Sequence, residues 1–467
     1  MTVSTLASTS RTHLVDWYRR NRERSRGLFD LLDPDVYYSR PIALRNPIVF
    51  YEGHLPAFSV ISLLKRGLGR PGVDERLETL FARGIDPDSE QSAAPRSGAD
   101  TRWPARQQVL AFGRDVDAAI VEALEGATFD VSGRDHPAMT NGEAVFTALE
   151  HEAMHQETLL YMWRRLPYEQ KRKPSGVRYE TAGMPPRHAA IEIPRGRATL
   201  GARRGAIPFG WDNEFEGLVV DVPAFDIDLY SVTNVDWLAF MADGGYDRRE
   251  LWPEVGWEWR VREGVRHPAF WQPTAARPGA GHRDRPSHGE GEWAWRGMFE
   301  DIPLPHAWPV YVSQAEAVAY ARWKGRRLPT EAEYHRAAFG TPGGVERELP
   351  WGDRGSPLDA SRGACDFDYW EPVPAGSRPA GASAWGVHDL MSNGWEWTST
   401  MFAPFPRFTP MASYPEYSAE FFDGQHVVLK GASPATAKEL IRRSFRNWFR
   451  PNYPYVYAKF RTVSAER

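Results

Sequence analysis

The sequence predicts a chain of two unlike parts, a four-helix bundle followed by an irregular α+β domain. Three observations carry this. The 467 residues exceed what one ordinary core organises. Residues 1–165 repeat apolar side chains every three or four positions, and from Ile191 that rhythm gives way to short runs broken by Gly, Pro and Asn.

In chain order, Arg11–Leu32 places Leu14, Trp17, Tyr18, Leu28 and Phe29 on one helical stripe. Pro47–Arg66 does so with Phe50, Tyr51, Leu55, Phe58 and Ile61. Ala105–Gly126 carries Val109, Phe112, Val116, Ile120 and Leu124, and Gly142–Arg165 carries Val145, Leu149, Met154, Leu159 and Met162. Four such amphipathic segments suggest an up-down bundle. Ile85–Trp103 is polar and holds Pro, Ser and Gly, so it reads as a long surface loop. Residues 166–190, with Lys171, Arg172, Lys173, Pro174, Pro185 and Pro186, read as an interdomain linker. In residues 191–467, Ile193–Leu200 and Val219–Tyr230 read as β-runs, Asn234–Ala242 and Ser313–Lys324 as helices, and Asp247–Glu292 as an irregular insertion.

Lys+Arg is 57 against Asp+Glu 61, which leaves no field for nucleic acid or an anionic membrane. Cys365 is the one cysteine, so neither an internal disulfide nor a Cys-rich zinc site is available. Met1–Leu14 lacks an apolar signal core, and no apolar run could span a bilayer; a cytoplasmic protein is expected. The 19 Trp point to aromatic-lined or loop-rich packing.

The sharpest local signal is His151-Glu152-Ala153-Met154-His155-Gln156-Glu157 within the fourth helix. Residues i and i+4 share a helix face, so His151 and His155 can reach one metal ion. His54, beside Gly53 on the second helix, is the candidate third ligand, because a glycine lets a neighbouring element approach closely. Such a three-His site suits Zn, Fe or Cu. The literal H-E-x-x-H pattern also matches zinc peptidases. His13, His136 and His188 read as surface or linker histidines.

The N-terminal half resembles a DinB-like four-helix bundle. The C-terminal half resembles the formylglycine-generating-enzyme (sulfatase-modifying-factor) fold, itself related to C-type lectins. The stretches that carry the second likeness are Trp211-Asp212-Asn213-Glu214, Ser231-Val232-Thr233-Asn234, Arg327-Leu328-Pro329-Thr330-Glu331-Ala332-Glu333, Gly386 through Trp397, and Lys430-Gly431-Ala432-Ser433, closed by Phe445-Arg446-Asn447-Trp448 and Phe460-Arg461. Together the halves resemble the sulfoxide synthases of ergothioneine and ovothiol biosynthesis and their selenoneine-synthase branch. The resemblance implies an Fe(II) site made of His54, His151 and His155, with O2 as co-substrate. It reads Glu157 as structural and Cys365 as a bystander, since formylglycine generation needs a cysteine pair. It assigns the catalytic tyrosine to Tyr414 in Tyr414-Pro415-Glu416-Tyr417-Ser418, with Tyr417 as the alternative. It places Asn447 and Trp448 against the trimethylammonium group of hercynine, where an aromatic face is the natural partner of a cation without N–H donors.

The chain departs from the γ-glutamylcysteine-using members at two charged positions, which are Phe449 and Tyr453 here, and at a Gln, which is Met154. Losing a carboxylate and a guanidinium removes the partners of an amino-acid-like donor, whereas a sugar stacks on aromatic faces. A selenosugar is therefore the expected donor and selenoneine the expected product, with cysteine or γ-glutamylcysteine as alternatives. The expected partners are small molecules only, with no obligatory protein partner. A metal-dependent hydrolase and a lectin-like binding module are the readings from other classes.

Overall fold

The computed structural model describes residues 11–82, 103–126, 136–274, 293–353 and 358–465. The expected loop at Ile85–Trp103 lies outside them apart from Trp103. The chain forms two compact units.

The first unit holds Met1–Ser175 together with Arg203–Asp212 and Thr409–Ala419. Its helices are α1 (Arg11–Asp30), α2 (Ile48–Ser59), α3 (Glu75–Leu80), α4 (Arg106–Gly126) and α5 (Glu143–Arg164). The four long ones fall where the apolar periodicity puts them, and α1 and α2 each pack on both α4 and α5. The short α3 is an addition that the periodicity does not reveal. The second helix also differs from expectation. It stops being α-helical at Ser59 and continues as a π-helical stretch, Val60–Gly67. Pro56 lies inside α2 and lacks the N–H that an α-helix needs at that position. Every residue of α2 is buried, Glu52 and His54 included, so this helix is the bundle's inner element.

A polar network fixes the rotation of α5 against α1. Arg22 pairs with Glu152 at 3.0 Å and with Asp117 at 2.8 Å. Asn21 donates to the Leu149 carbonyl, and Gln156 donates to the Asn21 carbonyl. These groups are buried, and each bond matters because an unmet buried polar group is costly.

The second unit holds Gly176–Ala202, Asn213–Phe408 and Glu420–Arg467. It begins with β1 (Ala190–Ile193), β2 (Gly196–Leu200), β3 (Leu218–Val222) and β4 (Phe225–Asp228). Then come α6 (Asn234–Ala242), α7 (Glu254–Arg262), β5 (Trp271–Pro273), β6 (Trp293–Arg296), β7 (Asp301–Pro303), α8 (Gln314–Trp323), β8 (Arg326–Arg327) and α9 (Glu331–Phe339). The chain closes with β9 (Gly394–Met401), β10 (Val427–Ala432), β11 (Asn447–Phe449), β12 (Ala458–Lys459) and β13 (Val463–Ser464). The two expected β-runs are each broken into two strands, at Pro194 and at Pro223, because proline cannot donate to a ladder. The halves then part company. β1 pairs with β4 in one sheet, and β2 with β3 in another. Residues 247–292 are less irregular than expected, since α7 and β5 fall within them; 275–292 lie outside the described residues.

The sheet that carries Asn447, Trp448 and Phe449 runs β11-β10-β9-β12. Its floor is a charge cluster with no exposure to water: Glu396 accepts from Lys459 Nζ at 2.7 Å and from Arg461 Nη2 at 2.6 Å. Just before β11, Arg446 grips Glu331 with two bonds of 3.1 Å, which fixes where Asn447 and Trp448 begin. Glu331 opens α9, whose start is set by the Thr330/Glu333 capping box. No described helix is long and apolar enough to cross a membrane.

His335 on α9 is fully buried, and its Nδ1 contacts the Thr199 carbonyl at 3.1 Å. Burial, then the nearby cations Lys430 and Arg443, push its pKa well below the ordinary value. The unfolded chain therefore takes up a proton near pH 6.5 that the folded chain refuses. Stability is full above that pH, and each unit below it costs about 1.4 kcal/mol until the folded imidazole titrates. The expected outcome is that acidification from pH 7 to 5 destabilises the protein more than a His335→Gln variant. An equal loss of unfolding free energy between pH 7 and pH 5 in the two proteins, measured by urea titration, would overturn this account.

Candidate metal centre

His54 comes from α2, and His151 and His155 come from successive turns of α5. One ring nitrogen from each lies within 4.8 Å of the others. The His151 and His155 Nε2 atoms are 3.1 Å apart. The three rings stand edge-on to one another, with centroids 5.1 Å (His54–His151), 5.0 Å (His54–His155) and 4.4 Å (His151–His155) apart. Aromatic neighbours clamp them. His54 stacks on Phe50 at 5.0 Å, and His151 lies flat on Phe58 at 3.4 Å with 7° between the planes.

The tautomer of His54 is set by the fold. Its Nδ1 lies 2.7 Å from the Phe81 carbonyl, which can only accept, so Nδ1 carries the proton and Nε2 keeps its lone pair. That Nε2 is buried with no hydrogen-bond partner among the described residues, as are Nδ1 of His151 and of His155. Burial holds the His54 pKa down at about 4, against the raising effect of the Phe81 carbonyl. His151 is pushed well below the ordinary value by burial, then by His155 and His54. His155 is lowered by burial, then by His54 and Arg45. Three neutral imidazoles with an orphaned buried nitrogen fit a divalent metal that prefers nitrogen ligands.

Glu152 has a different task. Its Oε1 accepts from Arg22 at 3.0 Å and from the Ser25 hydroxyl at 2.6 Å, within the α1–α5 network. The general base that a zinc peptidase would need is therefore committed to an ion pair. Glu157 is buried on the same helix, outside the three-His group.

The segment 409–419 brings in the tyrosines. Ser413 donates from its N–H and its hydroxyl to Glu143, each at 2.9 Å, and its carbonyl accepts from Arg66. Arg66 also pairs with Glu416 at 3.1 Å. These anchors put the Tyr414 ring 5.0 Å from Phe58 and 6.1 Å from His151. Tyr417 instead stacks on Trp211 at 3.9 Å and donates to the Met154 sulfur at 3.5 Å.

The remaining candidates lie together in the second unit, on β11 and the turn after it. Asn447 Oδ1 accepts from the Trp448 N–H at 2.9 Å, and Trp448 stacks on Phe402 at 4.2 Å. Phe449 and Tyr453 are parallel, 5.3 Å apart with 9° between their planes.

Known proteins agree with both halves. The profile of the DinB superfamily matches residues 18–159, and that of the sulfatase-modifying factor enzyme 1-like domain matches residues 179–466. A hercynine oxygenase of Mycolicibacterium thermoresistibile is 34% identical over 439 residues, covering 90% of this chain and 87% of that protein. A hercynine oxygenase of Mycobacterium tuberculosis is 34% identical over 465 residues, covering 97% and 99%. Ergothioneine biosynthesis protein 1 of Neurospora crassa is 28% identical over 504 residues, 93% of this chain and 55% of that protein.

The chain belongs to the hercynine oxygenase family.

Within this member of the hercynine oxygenase family, Cys365 is buried and its thiol is pushed up to about 12 by burial, then by Asp366 and Asp368, so it is an unreactive thiol. Sequence reasoning missed Phe58 and Phe81. Phe58 was within reach, since it lies four residues after His54 on the same apolar helix. Phe81 acts through its backbone carbonyl, which carries no residue-type signal.

Phe81 reaches His54 because Gly53 leaves room. A Cβ on Gly53 would meet the Phe81 ring at 2.4 Å. The Gly53→Ala variant is expected to shift Phe81, loosen its hold on His54 and weaken metal binding about 10- to 100-fold, the usual cost of losing such support. Unchanged affinity in a metal titration would show that Phe81 does not orient the ligand.

Proposed function

We propose that this chain is a mononuclear non-haem Fe(II), O2-dependent enzyme that forms a carbon–selenium or carbon–sulfur bond at C2 of the hercynine imidazole. We further propose that its donor is a selenosugar and that the product leads to selenoneine through a selenoxide. The observation that carries the reading is the buried three-imidazole cluster, with its pKa values held low, in a chain homologous along most of its length to hercynine oxygenases.

Fe(II) held by His54, His151 and His155 would supply O2 reduction and lower the pKa of a bound selenol or thiol. The residues supply the rest. Burial keeps the three imidazoles unprotonated, so no ligand has to lose a proton before binding. Phe50 and Phe58 lock the rings and keep water off them. Tyr414 brings its phenol ring to within 6.1 Å of the His151 ring, centroid to centroid, and is the residue we assign to proton donation during oxygen reduction. Trp448 offers an aromatic face to a trimethylammonium group, and Asn447 precedes it on the same strand.

The donor assignment rests on Phe449 and Tyr453. The parallel pair offers ring faces and one hydroxyl, and no charge to meet an α-carboxylate or ammonium. Met154 adds a thioether in contact with Tyr417. The names of the relatives favour a thiol donor as the competing reading.

Two tests follow. Replacing His54, His151 or His155 singly by Ala is expected to abolish retention of Fe(II) after desalting; full metal content in any one variant would remove that residue from the ligand set. For the donor, Fe(II) enzyme loaded without air is given hercynine and then air, with γ-glutamylcysteine, cysteine and a 1-selenoglucose offered side by side. Mass spectrometry should find an adduct containing selenium and no sulfoxide. The Phe449→Asp/Tyr453→Arg double variant should gain use of γ-glutamylcysteine. A sulfoxide from either thiol with the parent enzyme would return it to ergothioneine-type chemistry.

A further inference from the structure

The rings beyond Tyr414 have no part in the reaction just described, yet they are chemically unusual. Tyr414 and Tyr417 have centroids 5.7 Å apart, and Tyr417 lies nearly parallel to Trp211 at 3.9 Å. Trp211 is fully buried, and its indole N–H donates to the Glu150 carboxylate at 2.9 Å. The neighbouring Phe209, which packs on Phe146 and Trp211, is a phenylalanine. The run from Tyr414 inward uses the two side chains that most readily give up an electron. The Glu150 oxygen on the indole matters for the same reason, because an acceptor held against the N–H favours the positive charge that builds on the ring as the electron leaves.

We propose that Tyr414, Tyr417 and Trp211 form a hole-transfer path that draws oxidising equivalents away from the histidine cluster, with Trp211 and Glu150 as its terminus. Its occasion is an oxygen-derived one-electron oxidant that arises beside His151 when no selenium or sulfur donor is there to consume it. The proposal rests on the reading of the cluster as an iron site. Tyr414 gives the oxidant one electron and its phenolic proton. Trp211 then supplies an electron through Tyr417, and the Tyr414 phenoxyl regains its proton from solvent. The net change is a Trp211 radical cation hydrogen-bonded to Glu150, one proton drawn from solvent, and an oxidant reduced by one electron and one proton. A donor that arrives later can return the electron along the same rings. Without the path, the residues closest to the oxidant bear the damage: Tyr414, the Met154 thioether and the imidazoles themselves.

The test places the oxidant at the cluster without using hercynine or a donor. Full-length protein loaded with Fe(II) is given a limited amount of hydrogen peroxide, and oxidised residues are mapped by peptide mass spectrometry. The parent protein should carry oxidation on Trp211, buried though it is. Tyr417→Phe keeps the ring and breaks the relay. It should lose most of the Trp211 oxidation and show a several-fold rise at Tyr414, Met154 and the three histidines. Trp211→Phe should show the same rise. Thermal unfolding of both variants reports whether packing survives. Trp211 oxidation that persists in Tyr417→Phe would mean that oxidant reaches it by diffusion, and an unchanged damage map in Trp211→Phe would mean that it drains nothing; either result overturns the path. Because no hercynine is present, a failed bond-forming assay leaves this result standing, and the two readings fail separately.

Discussion

The constraint on which the rest depends is that three imidazoles must stay neutral and converge inside the bundle, where His54 and His151 are buried and His155 is half-buried. Desolvation does the first part, since a buried cation without a partner is far costlier than a buried neutral ring. The same burial leaves lone pairs without hydrogen bonds, which makes them free to meet a ligand. His54 shows the logic most clearly. One nitrogen is met by the Phe81 carbonyl and the other is left open inside the bundle.

The bundle's charged groups serve that arrangement. Rotation of α5 decides whether His151 and His155 face inward, and rotation is set on an adjacent face of the helix by Glu152 with Arg22 and by Gln156 with Asn21. A residue that a motif would assign to catalysis is in fact part of the helix's anchorage. The segment 409–419 is tied down in the same manner, by Glu143 and Arg66, so Tyr414 is delivered by anchors on either side of it.

The second unit solves a parallel problem with different means. The strand that carries Asn447 and Trp448, β11, is short and only partly buried, and cannot hold its own position by packing. Arg446 bonded twice to Glu331 fixes its start, and Trp448 stacked on Phe402 fixes its face. Beneath it, Glu396 meets two cations, so a charge cluster without water is satisfied from both sides.

The amino-acid sequence by itself determined the class of each half, the spans of the four long helices and the pairing of His151 with His155. All of these follow from local periodicity, which needs no knowledge of distant neighbours. The glycine beside it singled out His54, and the matched motifs added the tyrosine segment. The tertiary structure decided the rest. It put the Tyr414 ring near His151 and the Tyr417 ring on Trp211, because the course of that segment depends on Ser413 meeting Glu143, 270 residues away in the chain. It withdrew Glu152 from catalysis, because its partner Arg22 lies on another helix. It revealed Phe81, whose contribution is a backbone carbonyl. The broken strands at Pro194 and Pro223 belong to the same group, since which sheet each fragment joins is settled by pairing and not by propensity. Side-chain type and spacing report what a segment can form, and only long-range packing reports which groups it will meet.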